Sequence, residues 1–239
     1  MILRMGTSIR AVWMERVVIN RSFIIEVRCL GMAGAIERTV REMYIEYIKE
    51  LVQCLESTRA YSQDGMAYGG YEDAMRGIVG LFSEIKKQRK QVFFIGNGGS
   101  AAIASHMTVD FMKNGGMNTY NLYDSSVITC MGNDYGYENI FSVPLGFLGK
   151  KGDLLVAISS SGNSQNIVNA IQAARDKQML VMTFSGFGRD NRIIHRGDCN
   201  VYVPACHYGI VESIHNLILQ QAVDSVFGCS GENDSCSYQ

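Results

Sequence analysis

No stretch of this 239-residue chain approaches the ~20 consecutive apolar residues that a bilayer span requires, and the N-terminus lacks an uninterrupted apolar signal core. The expectation is a soluble, unexported, cytoplasmic protein. Net charge is lacking as well. With 22 basic against 23 acidic residues, no overall field draws the chain to nucleic acid or to an anionic membrane, which leaves a small charged metabolite as the natural partner. The seven cysteines, Cys29, Cys54, Cys130, Cys199, Cys206, Cys229 and Cys236, are odd in number and contain no CxxC pair. That excludes a zinc ribbon and argues against a disulfide framework, so reduced thiols are expected. Internal repeats are absent, and the length suits one sizeable α/β domain with helical additions.

The first 42 residues differ from the rest, carrying seven arginines and no lysine, with Arg or Glu interrupting every apolar run. Three readings compete there: an ordered helical extension, a disordered arm, or a start assigned too early with the true start at Met43. The second and third are preferred, and Trp13 receives no role. From Met43, the residues Tyr44, Tyr47, Ile48, Leu51 and Leu55 have the three-and-four spacing of an amphipathic helix over 43–56. A second helix is expected over 71–89, burying Met75, Ile78, Val79, Phe82 and Ile85. The domain proper therefore spans 43–227, and the polar tail 228–239 is expected to be disordered.

Beyond these helices the period changes. Short apolar runs at 91–95, 119–122, 153–158, 180–184 and 199–203 read as buried parallel strands, and helical patterns at 101–113 and 163–178 lie between them. A last helix covers 210–227. Strand, helix and strand in alternation imply right-handed crossovers and a doubly wound parallel sheet, whose ligands sit beyond the carboxyl ends of the strands.

Two of those ends carry unusual loops. Gly96-Asn97-Gly98-Gly99-Ser100 follows a strand and opens a helix, so its backbone N–H groups converge at the positive helix end, where phosphate is held without a charged side chain. Alone, such a turn equally suits a plain strand-to-helix connection. It is neither a Walker loop nor a GxGxxG fingerprint. The second loop, Ser159-Ser160-Ser161-Gly162-Asn163-Ser164, also follows an apolar strand and opens a helix. Its four hydroxyls exceed what capping requires, and two such loops in one sheet point to one shared anion site.

The segments GNGGSAAIASHMTVDF, MGNDYGYENIFS and ISSSGNSQNIVNAIQAAR resemble the sugar isomerase (SIS) domain, and within it the bacterial phosphoheptose isomerases. The resemblance runs from about residue 43 to 227. It implies a flavodoxin-like parallel sheet with an N-terminal helical hairpin, and homotetramers with sites at subunit interfaces. It implies that Asn97, Gly98, Gly99 and Ser100 line the substrate, that Asn133 and Asp134 touch the sugar, and that Ser159, Ser160, Ser161 and Ser164 receive the phosphate. The reaction implied is the interconversion of sedoheptulose 7-phosphate and a heptose 7-phosphate, a precursor of surface polysaccharide.

His106 and Asp110 are four apart and share one helix face, while Glu212, Asn216 and Gln220 recur every four residues on the last helix beside His215. In phosphoheptose isomerases the positions matching His106, Asp110, Glu212 and Gln220 carry His, Glu, Gln and His, which ligate zinc and include the catalytic acid and base. Only His106 is unchanged. An amide at Gln220 neither takes nor gives a proton at neutral pH. The expected catalysts are therefore Asp110 or Glu212 as base, with His106 or His215 carrying the second proton, and the two carboxylates raising one another's pKa if close. One histidine with three oxygen donors is a less zinc-typical set, so zinc is an open expectation. His195 and His207 are expected to be surface groups. A non-catalytic phosphosugar-binding or regulatory SIS module is the competing function, and an isomerase of another sugar phosphate is a third.

Overall fold

The computed structural model describes residues 33–227. The expectations for Trp13, for the earlier part of the N-terminal segment and for the tail lie outside those residues. Helix α1 (Ala33–Glu56) starts ten residues before the amphipathic pattern does, and Met43 lies inside it. The helix crosses the boundary, between Lys49 and Glu50, of the two compact units into which the chain divides. Everything that follows concerns the second unit, except where α1 is named.

The remaining elements are β1 (Arg59–Ser62), α2 (Tyr71–Lys87), β2 (Gln91–Ile95), α3 (Gly99–Lys113), β3 (Asn118–Asn121), α4 (Ser125–Tyr135), a 3-10 turn (Tyr137–Asn139), α5 (Ser142–Leu148), β4 (Leu154–Ser159), α6 (Gln165–Asp176), β5 (Leu180–Ser185), β6 (Cys199–Tyr202) and α7 (Tyr208–Phe227). The five runs correspond to five parallel strands, in the order β3-β2-β4-β5-β6, but β3 is not the buried strand expected: at the sheet edge, only its Thr119 is buried. That order is the flavodoxin-like one, and its direction reverses between β2 and β4.

Each strand feeds two cores because successive side chains point to opposite faces. Val92, Phe94, Leu154, Val156 and Ile158 face α2, α3 and α7, whose Ile78, Phe82, Met107, Phe111, Ile214 and Ile218 complete one apolar layer. Phe93, Ile95, Leu155 and Ala157 face the other way, against Ile140, Phe141, Leu145, Ile167 and Ile171. Continuous apolar runs, rather than alternating ones, are what a sheet covered on both faces demands. Val79, expected in the core, is only half-buried.

Three elements were not anticipated. Helices α4 and α5 are short and carry their apolar residues without a long period. Strand β1, read in the sequence as the connection between two helices, pairs antiparallel with β6 as a sixth, edge strand. Its residues Arg59, Ala60, Tyr61 and Ser62 include one fully buried side chain, too weak an alternation to register as a strand. A buried amide fixes it instead. Asn200, fully buried, donates to the carbonyls of Tyr61 (3.2 Å) and Gly197 (2.8 Å) and accepts from Thr183 Oγ1 (2.9 Å) and the Gly197 N–H (2.6 Å). Every hydrogen-bonding capacity of that side chain is used.

Replacing Asn200 with Leu leaves buried partners unpaired on three segments at once. We expect a loss of about 2–4 kcal/mol in urea-unfolding stability. A loss indistinguishable from that of an exposed Asn→Leu control would show that the amide does not hold β1.

Candidate functional site

Both loops singled out in the sequence lie at the point where the strand order reverses, one after β2 and one after β4. The glycine loop is shaped by two constraints. Gly98 has φ 56°, a conformation that side chains disfavour. Gly99 faces α7 so closely that a Cβ would come within 2.2 Å of Glu212 Oε2. The N–H groups of Gly99 and Ser100, at the start of α3, have no acceptor among the described residues. Those of Gln165 and Asn166, at the start of α6, are equally unengaged. Two helix N-termini thus present free donors to one crevice, an arrangement that attracts anions.

The serines divide. Ser159 and Ser160 are buried; Ser159 Oγ accepts from the Gly162 N–H (3.2 Å), and Ser160 Oγ donates to Glu212 Oε1 (3.3 Å). Ser161 and Ser164 are half-buried. The Ser161 hydroxyl accepts from the Asn163 N–H (3.3 Å) and keeps its proton free, while Ser164 stands at the N-cap of α6 without making a capping bond. Those two hydroxyls are the ones available to a ligand.

Asn97 is engaged in a way the motif does not reveal. Its amide and that of buried Asn166 bond reciprocally, at 2.9 Å in each direction, and its Oδ1 also accepts from Tyr137 Oη (3.2 Å). Asn97 therefore ties the glycine loop to α6 and to the 3-10 turn. Tyr123 pins the same loop: its hydroxyl donates to the Gly96 carbonyl (2.8 Å) and accepts from the Gly96 N–H. Burial pushes the Tyr123 phenol well above its usual range, so it stays protonated. Arg192 reaches the serine loop, its N–H donating to Asn163 Oδ1 (3.1 Å) and its guanidinium to Gln165 Oε1 (2.8 Å). Sequence reading passed over Asn166, Tyr123 and Arg192 because none lies in a glycine or serine run. Asn133 and Asp134, exposed on α4, bond to each other (2.8 Å) and to Cys130 Sγ (3.5 Å to Asp134).

The polar face between α3 and α7 is split in two. His106 Nε2, Asp110 Oδ2 and Gln220 Nε2 form a closed triangle with sides of 2.8, 2.8 and 2.9 Å. Glu212 is not in it. Eight residues back along α7, roughly 12 Å of helix, its carboxylate lies against Gly99 and Ser160. Asp110 and Glu212, expected to act on one another if close, are thus separate carboxylates, one in the triangle and one at the start of α3. His215, expected as a proton carrier, is in the core instead. It is fully buried, edge-on to Phe184, with Nε2–H donating to the Ser185 carbonyl (3.1 Å) and Nδ1 without a partner. Burial pushes its pKa down to about 4, so it is neutral at physiological pH. His195, edge-on to Tyr61, and His207, 4.0 Å from Glu50, are exposed.

Among the described residues, no three His, Cys, Asp or Glu side chains converge closely enough to hold a metal ion. The triangle reaches three donors only by counting the amide. Yet no arrangement of hydrogens satisfies all its sides. A proton on His106 Nε2 serves Asp110 and meets the amide N–H groups, whereas its removal leaves the ring lone pair facing the carboxylate at 2.8 Å. A cation among the three relieves that conflict. An imidazole, a carboxylate and an amide oxygen, with remaining positions open, fit a divalent ion held by three protein ligands, the amide turning its oxygen inward.

Comparison with known proteins settles the relationship. The SIS domain matches residues 70–186. Phosphoheptose isomerase of Bordetella avium is 34% identical over 64% of this chain and 82% of that protein, and that of Sodalis glossinidius is 35% identical over 73% and 90%. The chain belongs to the SIS domain family. Phosphoheptose isomerase of Neisseria gonorrhoeae superposes with a TM-score of 0.65 at 26% identity, covering 80% of this chain and 98% of its own, and the Francisella tularensis enzyme shares the fold with a TM-score of 0.66 at 23% identity over 79% and 96%. Among the described residues no helix is long and apolar enough to cross a membrane, and Cys54, Cys130, Cys199 and Cys206 are free.

Two outcomes follow from this geometry. Tyr123→Phe removes both bonds to Gly96, so affinity for inorganic phosphate, read by calorimetry, should fall about tenfold, equivalent to roughly 1.4 kcal/mol; unchanged affinity would disconnect Tyr123 from the loop. His215 binds its proton less readily folded than unfolded. Its stabilising contribution is complete above about pH 6.5 and drains as the pH falls toward 4, at roughly 1.4 kcal/mol per pH unit. The stability of the wild type relative to His215→Gln should therefore decline from pH 7 to pH 5 in urea titrations, and a pH-independent difference would refute the buried neutral state.

Proposed function

We propose that this chain is a phosphosugar aldose–ketose isomerase acting on sedoheptulose 7-phosphate or a sugar phosphate of similar length. The observation that carries this reading is the succession, along α3 and α7, of free helix N-terminal donors and then of the His106–Asp110–Gln220 triangle. At the first, the N–H groups opening α3 and α6, the hydroxyls of Ser161 and Ser164, and the Arg192 guanidinium receive the phosphate. At the second, His106 and Asp110 meet Gln220. The separation between the two, set by two turns of parallel helices α3 and α7, suits an extended sugar rather than a triose.

Isomerisation moves a proton between neighbouring carbons through an enediol. His106 is the exposed member of the triangle, its side chain 59% accessible against 19% for Asp110. With Nε2 turned to Asp110, Nδ1 is the nitrogen left to act as the base, while the carboxylate orients the ring and compensates the charge it acquires. Gln220 carries no proton between carbons; its amide positions Asp110. Glu212, against Ser160, is the second carboxylate and meets the sugar nearer the phosphate. Zinc held by His106, Asp110 and Gln220 would supply Lewis-acid polarisation of the carbonyl. The sequence names of the relatives support an isomerase; heptose formation for surface polysaccharide and a cytoplasmic site are the finer parts of the proposal. A homo-oligomer, a tetramer by family resemblance, is supported by the exposed Met43, Tyr44, Tyr47 and Ile48 of α1.

The amide at Gln220 favours a second reading, a non-catalytic phosphosugar-binding protein. Incubation with sedoheptulose 7-phosphate, with and without zinc, separates them. Turnover is expected, falling by about 10²–10⁴ in His106→Asn and Asp110→Asn. Thermal stabilisation without turnover under either condition would establish the binding protein, and unchanged rates in both variants would sink the base assignment.

A further inference from the structure

Strand β1 brings a feature that the crevice does not use. Because β1 runs antiparallel to β6, with Arg59 opposite Tyr202, its first residue lies at the carboxyl end of the sheet, the same edge that carries the phosphate loops. There a cavity of about 570 Å³ is lined by Gln53, Cys54, Ser57, Arg59, Tyr61, Ala67, Arg189 and Pro204. Its volume is that of a small-molecule site. Two of these lining residues are arginines and none is an Asp or Glu.

The oxygens beside both arginines are neutral. Arg59 Nη1 donates to the carbonyls of Glu56 (3.1 Å) and Thr58 (2.9 Å), at the end of α1. Arg189 stands near the hydroxyl of Tyr202, which donates to the Phe187 carbonyl (2.7 Å). Neither forms an ion pair with a carboxylate of the described residues. Each guanidinium has five N–H donors, so most of those on Arg59 remain for a ligand. Tyr61 Oη makes no hydrogen bond with the described residues and adds a hydroxyl.

Held apart on separate segments, two like charges repel, and nothing within the cavity offsets them. We propose that this cavity is a second anion site, taking the phosphate group of a small phosphorylated metabolite between Arg59 and Arg189. Fork-shaped guanidinium groups match the tetrahedral, acceptor-rich phosphate, and Ser57 and Tyr61 supply hydroxyls for the remaining oxygens. The site is distinct from the crevice: β1 lies three strands from β4, roughly 14 Å at the spacing of paired strands. A ligand there would sit beside the loop after β5 and could report the level of a related metabolite to the crevice.

Equilibrium dialysis of the full chain against radiolabelled inorganic phosphate tests the site. Wild type is expected to bind two phosphates per chain, Arg59→Gln/Arg189→Gln one, and Ser161→Ala/Ser164→Ala one. Arg189→Gln alone, which leaves the bonds of Arg59 to α1 in place, should weaken one class at least tenfold. If wild type binds one phosphate and the arginine variants lose it, the second site stands and the crevice reading fails. Absence of phosphate binding, or equal number and affinity in wild type and both arginine variants, overturns the second site.

Discussion

A parallel sheet that is wound in both directions has one place where neighbouring connections depart to opposite faces, and there the backbone cannot fill the gap it leaves. In this protein the gap lies between β2 and β4. Helix α3 leaves β2 for one face and α6 leaves β4 for the other, so two helix N-termini flank the same opening with their N–H groups unpaired. The rest of the site depends on this opening. The glycines let α3 approach, Tyr123 and the Asn97–Asn166 pair keep the two loops in register, and α7 is packed against α3 so that its polar residues face the same space.

Packing helix on helix then sorts one polar stripe into different roles. Residues 212, 215 and 220 share α7, yet they meet three environments. Glu212 touches the start of α3, where a carboxylate is favoured by the helix dipole. His215 turns inward, and loses its charge to burial. Gln220 meets His106 and Asp110 in a triangle whose hydrogens cannot all be satisfied. An unsatisfied contact of this kind between a ring, a carboxylate and an amide is where a proton or a metal ion is drawn in.

Much of this was legible in the chain. The apolar runs that became β2, β4, β5 and β6 were visible because strands covered on both faces have no reason to alternate. The loops at Gly96 and Ser159 were visible because glycine and serine are chosen there for backbone approach and hydroxyl donors. Strand β1 was not, since its four residues have one buried side chain and owe their pairing to Asn200, 139 positions away from Tyr61. Helix α1 begins at Ala33, ten residues before its apolar spacing does, because that spacing marks one face of a helix and not its first turn.

By itself, the sequence determined the sheet, the order of strand and helix, and the two loops, because these follow from local periodicity and from the conformational freedom of particular residues. It also determined that His106 and Asp110 stand together, since four residues make one helical turn. Which member of each polar stripe meets which partner was decided only by the tertiary structure. That choice rests on the offset between α3 and α7, and on the burial that follows from it, which no local pattern encodes. The same is true of Arg59 and Arg189, brought to one cavity by an antiparallel strand that the sequence did not announce.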